Sequence, residues 1–173
     1  MTKNVLLLFT LLITSVITAQ DDQIFLHNGK TVEGKVIRVE EYTIDFVYSG
    51  EEAENTFGKY AIAKIIYGSS GREQDVTEKI EVTGEDDWEK VVILEDKGYI
   101  AGLKKVGEIR GKTGMINFQT GNTGDKKAEK KLKQEAAEAK CAFILMTSDK
   151  STTSARNTFG SSQAIKTGVT YTY

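Results

Sequence analysis

His27 and Cys141 are the chain's one histidine and one cysteine. Brought together, they would offer a thiolate–imidazole pair, the chemistry of a cysteine nucleophile. Cys141 however opens the apolar run Cys141-Ala142-Phe143-Ile144-Leu145-Met146, where a thiol behaves as a small buried hydrophobe. His27 stands beside Asn28-Gly29, where an imidazole serves as the polar flank of a turn. A soft-metal centre needs three or four converging Cys or His ligands, and these two are all the chain has. Oxygen ligands for calcium are offered by Glu51-Glu52-x-Glu54 and Glu85-Asp86-Asp87. Neither has the spaced ligands and bend-permitting glycine of a calcium loop, so both read as solvated turns.

Two glycine-bounded segments bear on phosphate binding, Gly68-Ser69-Ser70-Gly71 and Gly121-Asn122-Thr123-Gly124. The second precedes a helix start, where free N–H groups favour anions. Asp125-Lys126 follows in place of a Gly-Lys-Ser/Thr ending, and Asp125 repels a phosphate, so a helix cap is the better reading. No residue is thereby assigned to catalysis, to a cofactor or to a metal. The remaining chemistry is that of association. Tyr42, Phe57, Tyr60, Tyr171 and Tyr173 form the candidate interaction surface, and edge strands would supply free backbone donors and acceptors beside them.

The elements that must position these rings fall into two groups. From residue 23 the apolar period is two. Residues 23–27 read as a strand, Asn28-Gly29 as a tight turn in which both residues take positive φ, and residues 31–39 as a second strand. Across Ile37-Arg38-Val39 the buried face switches, as when a long strand bends. Residues 42–48 follow, with Ile44, Phe46 and Tyr48 alternating against Asp45 and Val47. After an acidic loop at 50–55, residues 57–67 end in the short strand Ile65-Ile66-Tyr67. Four or five short strands without a helix signal predict a small antiparallel barrel over residues 20–82.

The second group occupies residues 85–173. Residues 88–94 read as a strand, Lys97-Gly98 as its turn and residues 99–108 as another extended segment. Gly102, Gly107, Gly111 and Gly114 mark bends or bulges, and residues 113–124 a loop or hairpin. The clearest helix spans about residues 125–140, with Asp125 as N-cap and Ala128, Leu132, Ala136 and Ala139 on one face. Its lysines, set among Glu129, Glu135 and Glu138, read as a solvated face. The run 141–146 is the pattern of a strand buried on both faces, placed under that helix. Residues 147–162 read as a Ser/Thr-rich loop, and Val169, Tyr171 and Tyr173 as a closing edge strand. The fold class is α+β, mostly β.

Ile24-Phe25-Leu26-His27-Asn28-Gly29, Val32-Glu33-Gly34-Lys35-Val36, Tyr42-Thr43-Ile44-Asp45-Phe46 and Ile62-Ala63-Lys64-Ile65-Ile66-Tyr67 resemble the Sm-like or SH3-like small barrels of exported Bacteroidetes-type proteins. The order Val106-Gly107-Glu108-Ile109-Arg110-Gly111, then Ala128-x-x-x-Leu132-x-x-x-Ala136-Ala137, then Cys141-Ala142-Phe143-Ile144-Leu145 resembles the RcsF-like and YbjQ-like α+β domains. These resemblances imply folds. Cytoplasmic Sm-like proteins bind RNA, and RcsF-type proteins are lipid-anchored, disulfide-bonded stress sensors. This chain departs from the first in its acidity and its export signal, and from the second in having a single thiol and no lipidation cysteine near its start.

The export signal is residues 1–19: Lys3 in a short polar start, the apolar stretch 5–13, and a small residue, Ala19, at the cut. The apolar stretch is too short to span a bilayer. Removing it leaves 22 basic residues against 25 acidic, a balance without the basic surface that nucleic acid requires. One cysteine cannot close a disulfide within the chain. The reading is an exported, non-catalytic binding protein of the bacterial envelope, periplasmic or associated with the outer membrane. It has no transmembrane segment, no lipid anchor and no cofactor, and its partner is an envelope or outer-membrane protein. Two alternatives stay open: a small-ligand or stress sensor using the glycine-rich segments 107–124 and 147–163, and, third, a hydrolytic enzyme.

Overall fold

The computed structural model describes residues 20–113, 116–117, 121–154 and 161–173; the segment 1–19, expected to be an export signal, lies outside the described residues. The chain builds two sheets and one long helix, an α+β fold dominated by strands.

The first sheet holds β1 (Asp22–Leu26), β2 (Thr31–Val39), β3 (Thr43–Tyr48), β4 (Glu54–Gly58), β5 (Ile62–Ile66) and β6 (Glu73–Asp75), in the order β4-β3-β2-β1-β5-β6. Every pairing is antiparallel. The period-two pattern does what alternation requires: Ile24, Leu26, Ile44, Phe46, Ile62 and Ile65 point to one face and form a core. Ile62 and Ile65 are three apart, out of step with that period. A register shift opposite Phe25 and Leu26 leaves Ala63 unpaired and returns both isoleucines to the core face.

A second bulge falls at Ile37, where Val36 pairs with Phe46 but Arg38 with Asp45. The bend expected from Ile37-Arg38-Val39 is there, yet Ile37 and Val39 stay exposed, at 50% and 41%. Arg38 instead closes over Asp45 (2.9 Å), which also accepts from the Thr56 hydroxyl (2.8 Å). The Asn28-Gly29 turn differs too. Only Gly29 has positive φ, and the hydrogen bonds Gly29 N–H to Leu26 O and Leu26 N–H to Lys30 O enclose a three-residue loop, His27 to Gly29.

The expected barrel does not close among the described residues, because no pairing joins β4 to β6. The outer edge of β4 is used otherwise: the Gly58 amide donates to the Ala101 carbonyl (2.9 Å), in the turn that follows a 3-10 segment at Lys97–Ile100. An edge strand that spends its free bond on another part of the chain has less left for closing its own sheet.

The second sheet orders β7 (Val92–Leu94), β10 (Phe143–Ser154), β11 (Ser161–Thr172) and β8 (Lys104–Lys112), with the two-residue β9 (Ile116–Asn117) also on β11. Only β7 and β10 run parallel. Several expectations fail here. Trp88 lies in a 3-10 segment, Glu85–Lys90, and the strand is confined to Val92–Leu94. The expected Ser/Thr loop is largely strand, since β10 and β11 are twelve residues each and pair along their length. With β10 on one side and β8 on the other, β11 is an interior strand, not an edge.

The helix α1 (Gly121–Glu138) starts four residues before Asp125, which sits in its second turn and not at its N-cap. Packing outweighs the weak helix propensity of the glycine-bounded start. Ala128, Leu132, Ala136 and Ala137 are fully buried, whereas Ala139 is exposed. The helix lies chiefly across β8 and β11. It comes so close at Gly111 that a Cβ there would be 2.2 Å from the Ala128 carbonyl oxygen.

The apolar run 141–146 is buried on both faces, as its composition requires. Cys141, Ile144 and half-buried Met146 face the helix with Leu132 and Ala136. Phe143 and Leu145 face the other way, into a cluster with Leu94, Val169 and Tyr171 that also takes in Tyr60 from the first sheet. That cluster joins the sheets. Tyr60 and Tyr173 pack against Phe143 at 5.4 and 5.3 Å between ring centres. The Tyr173 hydroxyl accepts from the Ile80 amide (2.9 Å), and its ring lies 4.8 Å from that of His27.

Candidate functional site

Three tyrosines from three separate turns meet where the two sheets join. Tyr42 ends the β2–β3 turn, Tyr60 lies in the 3-10 segment Lys59–Ala61 between β4 and β5, and Tyr99 lies in the segment after β7. Two backbone bonds fix the turns to one another. The Lys59 amide donates to the Tyr42 carbonyl (2.9 Å), and the Gly58 amide to Ala101. Glycine is required at 58, because a Cβ would stand 2.0 Å from the Tyr99 carbonyl oxygen.

The resulting cleft of about 370 Å³ is lined by Tyr42, Tyr60, Tyr99, Ile93, Leu94 and Glu95. The Tyr42 and Tyr99 rings stack obliquely, 4.7 Å apart at 30°. Lys59 Nζ sits 4.7 Å from the Tyr42 ring centre and 5.5 Å from that of Tyr60, a cation–π arrangement with both. Hydrogen bonding to the Glu41 carboxylate, together with its charge, raises the Tyr42 phenol above its ordinary range. The Tyr42 phenol is therefore a neutral donor at physiological pH.

One wall of the cleft is a free sheet edge. The Val92 amide donates inward to the Ala142 carbonyl (2.9 Å), so by strand alternation the amide and carbonyl of Ile93 face away from β10. No other strand pairs with β7 among the described residues. The cleft thus combines aromatic rings, one carboxylate and an open backbone edge, with the Lys59 ammonium over two of its rings. The lining residues offer hydrogen bonds and aromatic contact and include no nucleophile–base pair. His27 and Cys141 are not in its lining.

The cleft gathers two of the five aromatics expected at an interaction surface, Tyr42 and Tyr60. Phe57 stacks inside the first sheet on Phe46 (4.7 Å, 20°). Tyr171 is buried and Tyr173 half-buried in the joint, where burial raises the Tyr173 phenol. Those three hold the molecule together. Tyr99, Lys59 and the β7 edge were missing from the sequence reading. A tyrosine after Lys97-Gly98 carries no signal of its own, since only the fold brings it to Tyr42.

Elsewhere, Cys141 is fully buried and donates to the Ala139 carbonyl (3.4 Å), and burial pushes its thiol up. His27 Nε2 is hydrogen-bonded to the Thr77 hydroxyl (3.0 Å), which itself donates to the Ile62 carbonyl (2.8 Å). Burial lowers the His27 pKa, and Lys79 lowers it further. Asp87 accepts from the Thr83 amide (2.8 Å) and hydroxyl (2.6 Å) and pairs with Lys90, so it ties off a turn, and these contacts hold its carboxyl far below the usual range. Among the described residues no group of three or more His, Cys, Asp or Glu side chains could hold a metal ion, and no helix is long and apolar enough to cross a membrane. Comparison of the chain with protein-family models, curated proteins and solved structures finds no match.

Proposed function

We propose that this is an exported, non-catalytic binding protein of the cell envelope, and that it takes an extended polypeptide segment of a partner protein into the tyrosine cleft by adding it as a strand to β7. The observation that carries the reading is the convergence of Tyr42, Tyr60 and Tyr99 beside the outward-facing backbone of Ile93. Main-chain bonds to a free edge supply affinity without regard to sequence, and flanking aromatic surface supplies contact area at low entropic cost. The apolar leader at residues 1–19 supports export.

The test is selection of binders from a display library of random ten-residue peptides, followed by Ile93→Pro and Tyr99→Ala variants of the protein. Proline at 93 removes an outward donor while leaving the inward bonds at 92 intact. Enriched peptides should lose binding to both variants and shift the Ile93 and Glu95 amide resonances. Peptides that bind Ile93→Pro as well as the parent protein would overturn strand addition, and a library with no enrichment would overturn the cleft as a peptide site.

A further inference from the structure

We infer that the bound segment carries an acidic side chain, and that Lys59 is the residue that recognises it; this rests on the peptide-binding reading of the cleft. Lys59 Nζ stands over the rings of both Tyr42 and Tyr60, two of the cleft's walls. No carboxylate lies within ion-pair distance of it among the described residues. Two other cations of the first sheet are already paired: Lys64 reaches across the sheet to Glu73, and Arg38 is held by Glu40 and Asp45.

The position of Lys59 is set from both ends. Its amide is bonded to Tyr42, at the start of a short 3-10 segment that leaves little freedom to the backbone. Its ammonium rests on two neutral rings that attract the charge without neutralising it. A cation so held has lost part of its rotamer freedom before a ligand arrives, which lowers the cost of pairing it. Glu95, which follows β7 and also lines the cleft, is a negative group there. An acidic group on a segment lying along β7 is therefore favoured near Lys59 and disfavoured near Glu95.

The experiment uses the peptides selected above. They should be enriched in Asp or Glu at one position, and changing that residue to Asn or Gln should weaken binding about tenfold, as for a charge-assisted hydrogen bond. Lys59→Met should weaken the acidic peptides by a similar factor and leave their neutral versions unchanged. Lys59→Arg should restore binding, and Lys59→Glu should favour peptides with Lys at the same position. Circular dichroism and the unfolding midpoint of each variant show whether it is folded. Selected peptides without an acidic preference, or a Lys59→Met protein that keeps it, would overturn the assignment while leaving strand addition in place. Absence of any selected peptide would remove both.

Discussion

The two sheets are built in opposite ways. In the first, β1 to β4 are neighbours in space because they are neighbours in sequence, and short turns connect them. In the second, β7 waits for β10, and β8 for β11, each with the helix α1 between them in the chain. A meander can form from local pairings, whereas the second sheet needs long loop closures before any strand is rewarded. The first sheet nevertheless leaves an outer edge bonded to the turn between β7 and β8, and the second buries one face on the first. Each half is completed by the other.

The largest test of that dependence is Phe143→Ala. Phe143 is fully buried between Tyr60 of the first sheet and Tyr173 of the second. Removing the ring should cost about 3–5 kcal/mol. Denaturant unfolding followed by both Trp88 fluorescence and far-ultraviolet dichroism should show one transition at lower midpoint. Two separated transitions would mean that the sheets fold as independent units.

Gly58→Ala is the next in size and is aimed at the cleft. The added methyl group must displace the Tyr99 turn or break the Gly58–Ala101 bond, at a cost of about 1–3 kcal/mol. Amide shifts should concentrate at residues 97–101 and at Tyr42, with the β1–β2–β3 pairing undisturbed. Shifts spread evenly over the first sheet would show that β4 is not held by that contact.

Legibility followed the same division. Ile24, Leu26, Ile44 and Phe46 were readable as core because period-two burial is a local property, and the β2 bend was readable because Ile37-Arg38-Val39 breaks that period. What long-range pairing decides was not readable. β11 became an interior strand because β8 returns to its outer side, so Tyr171 and Tyr173 turned from candidate surface into joint. The cleft shows the same limit. Tyr42 and Tyr60 were identifiable as candidate interaction aromatics, but their meeting with Tyr99 depends on how one sheet docks on the other.

His27 offers a milder way to probe the joint, through pH. It sits between Thr77 and the Tyr173 ring, with its pKa lowered chiefly by burial. For a base whose folded pKa is depressed, the neutral form is the one the fold favours. The stabilisation is fully present above the unfolded value of 6.5 and is lost as pH falls through the folded one. Unfolding midpoints should therefore decline between pH 7 and pH 5, and His27→Asn should flatten that decline. The single imidazole resonance should titrate below 6.5 in the folded protein; a midpoint above it would reverse the sign of the effect.

The smallest effect lies at the end of α1, where the chain stops a helix without the usual residue. Lys140 has φ of 55°, its amide donates to the Ala137 carbonyl (2.9 Å), and the Cys141 amide donates to that of Ala136 (2.9 Å). This is the paired-bond helix stop that glycine normally occupies, with Cys141 and Ala136 in the same buried cluster behind it. A side chain in the left-handed region is strained, so Lys140→Gly should raise stability by about 0.5–1 kcal/mol, less the unfolded-state freedom that glycine adds. The absence of glycine there also explains why the sequence ran the helix on to residue 140: the stop is imposed by the buried strand that follows, which pulls Cys141 under the helix. If Lys140→Gly lowers the unfolding midpoint instead, the lysine side chain contributes more at that helix end than its backbone strain costs.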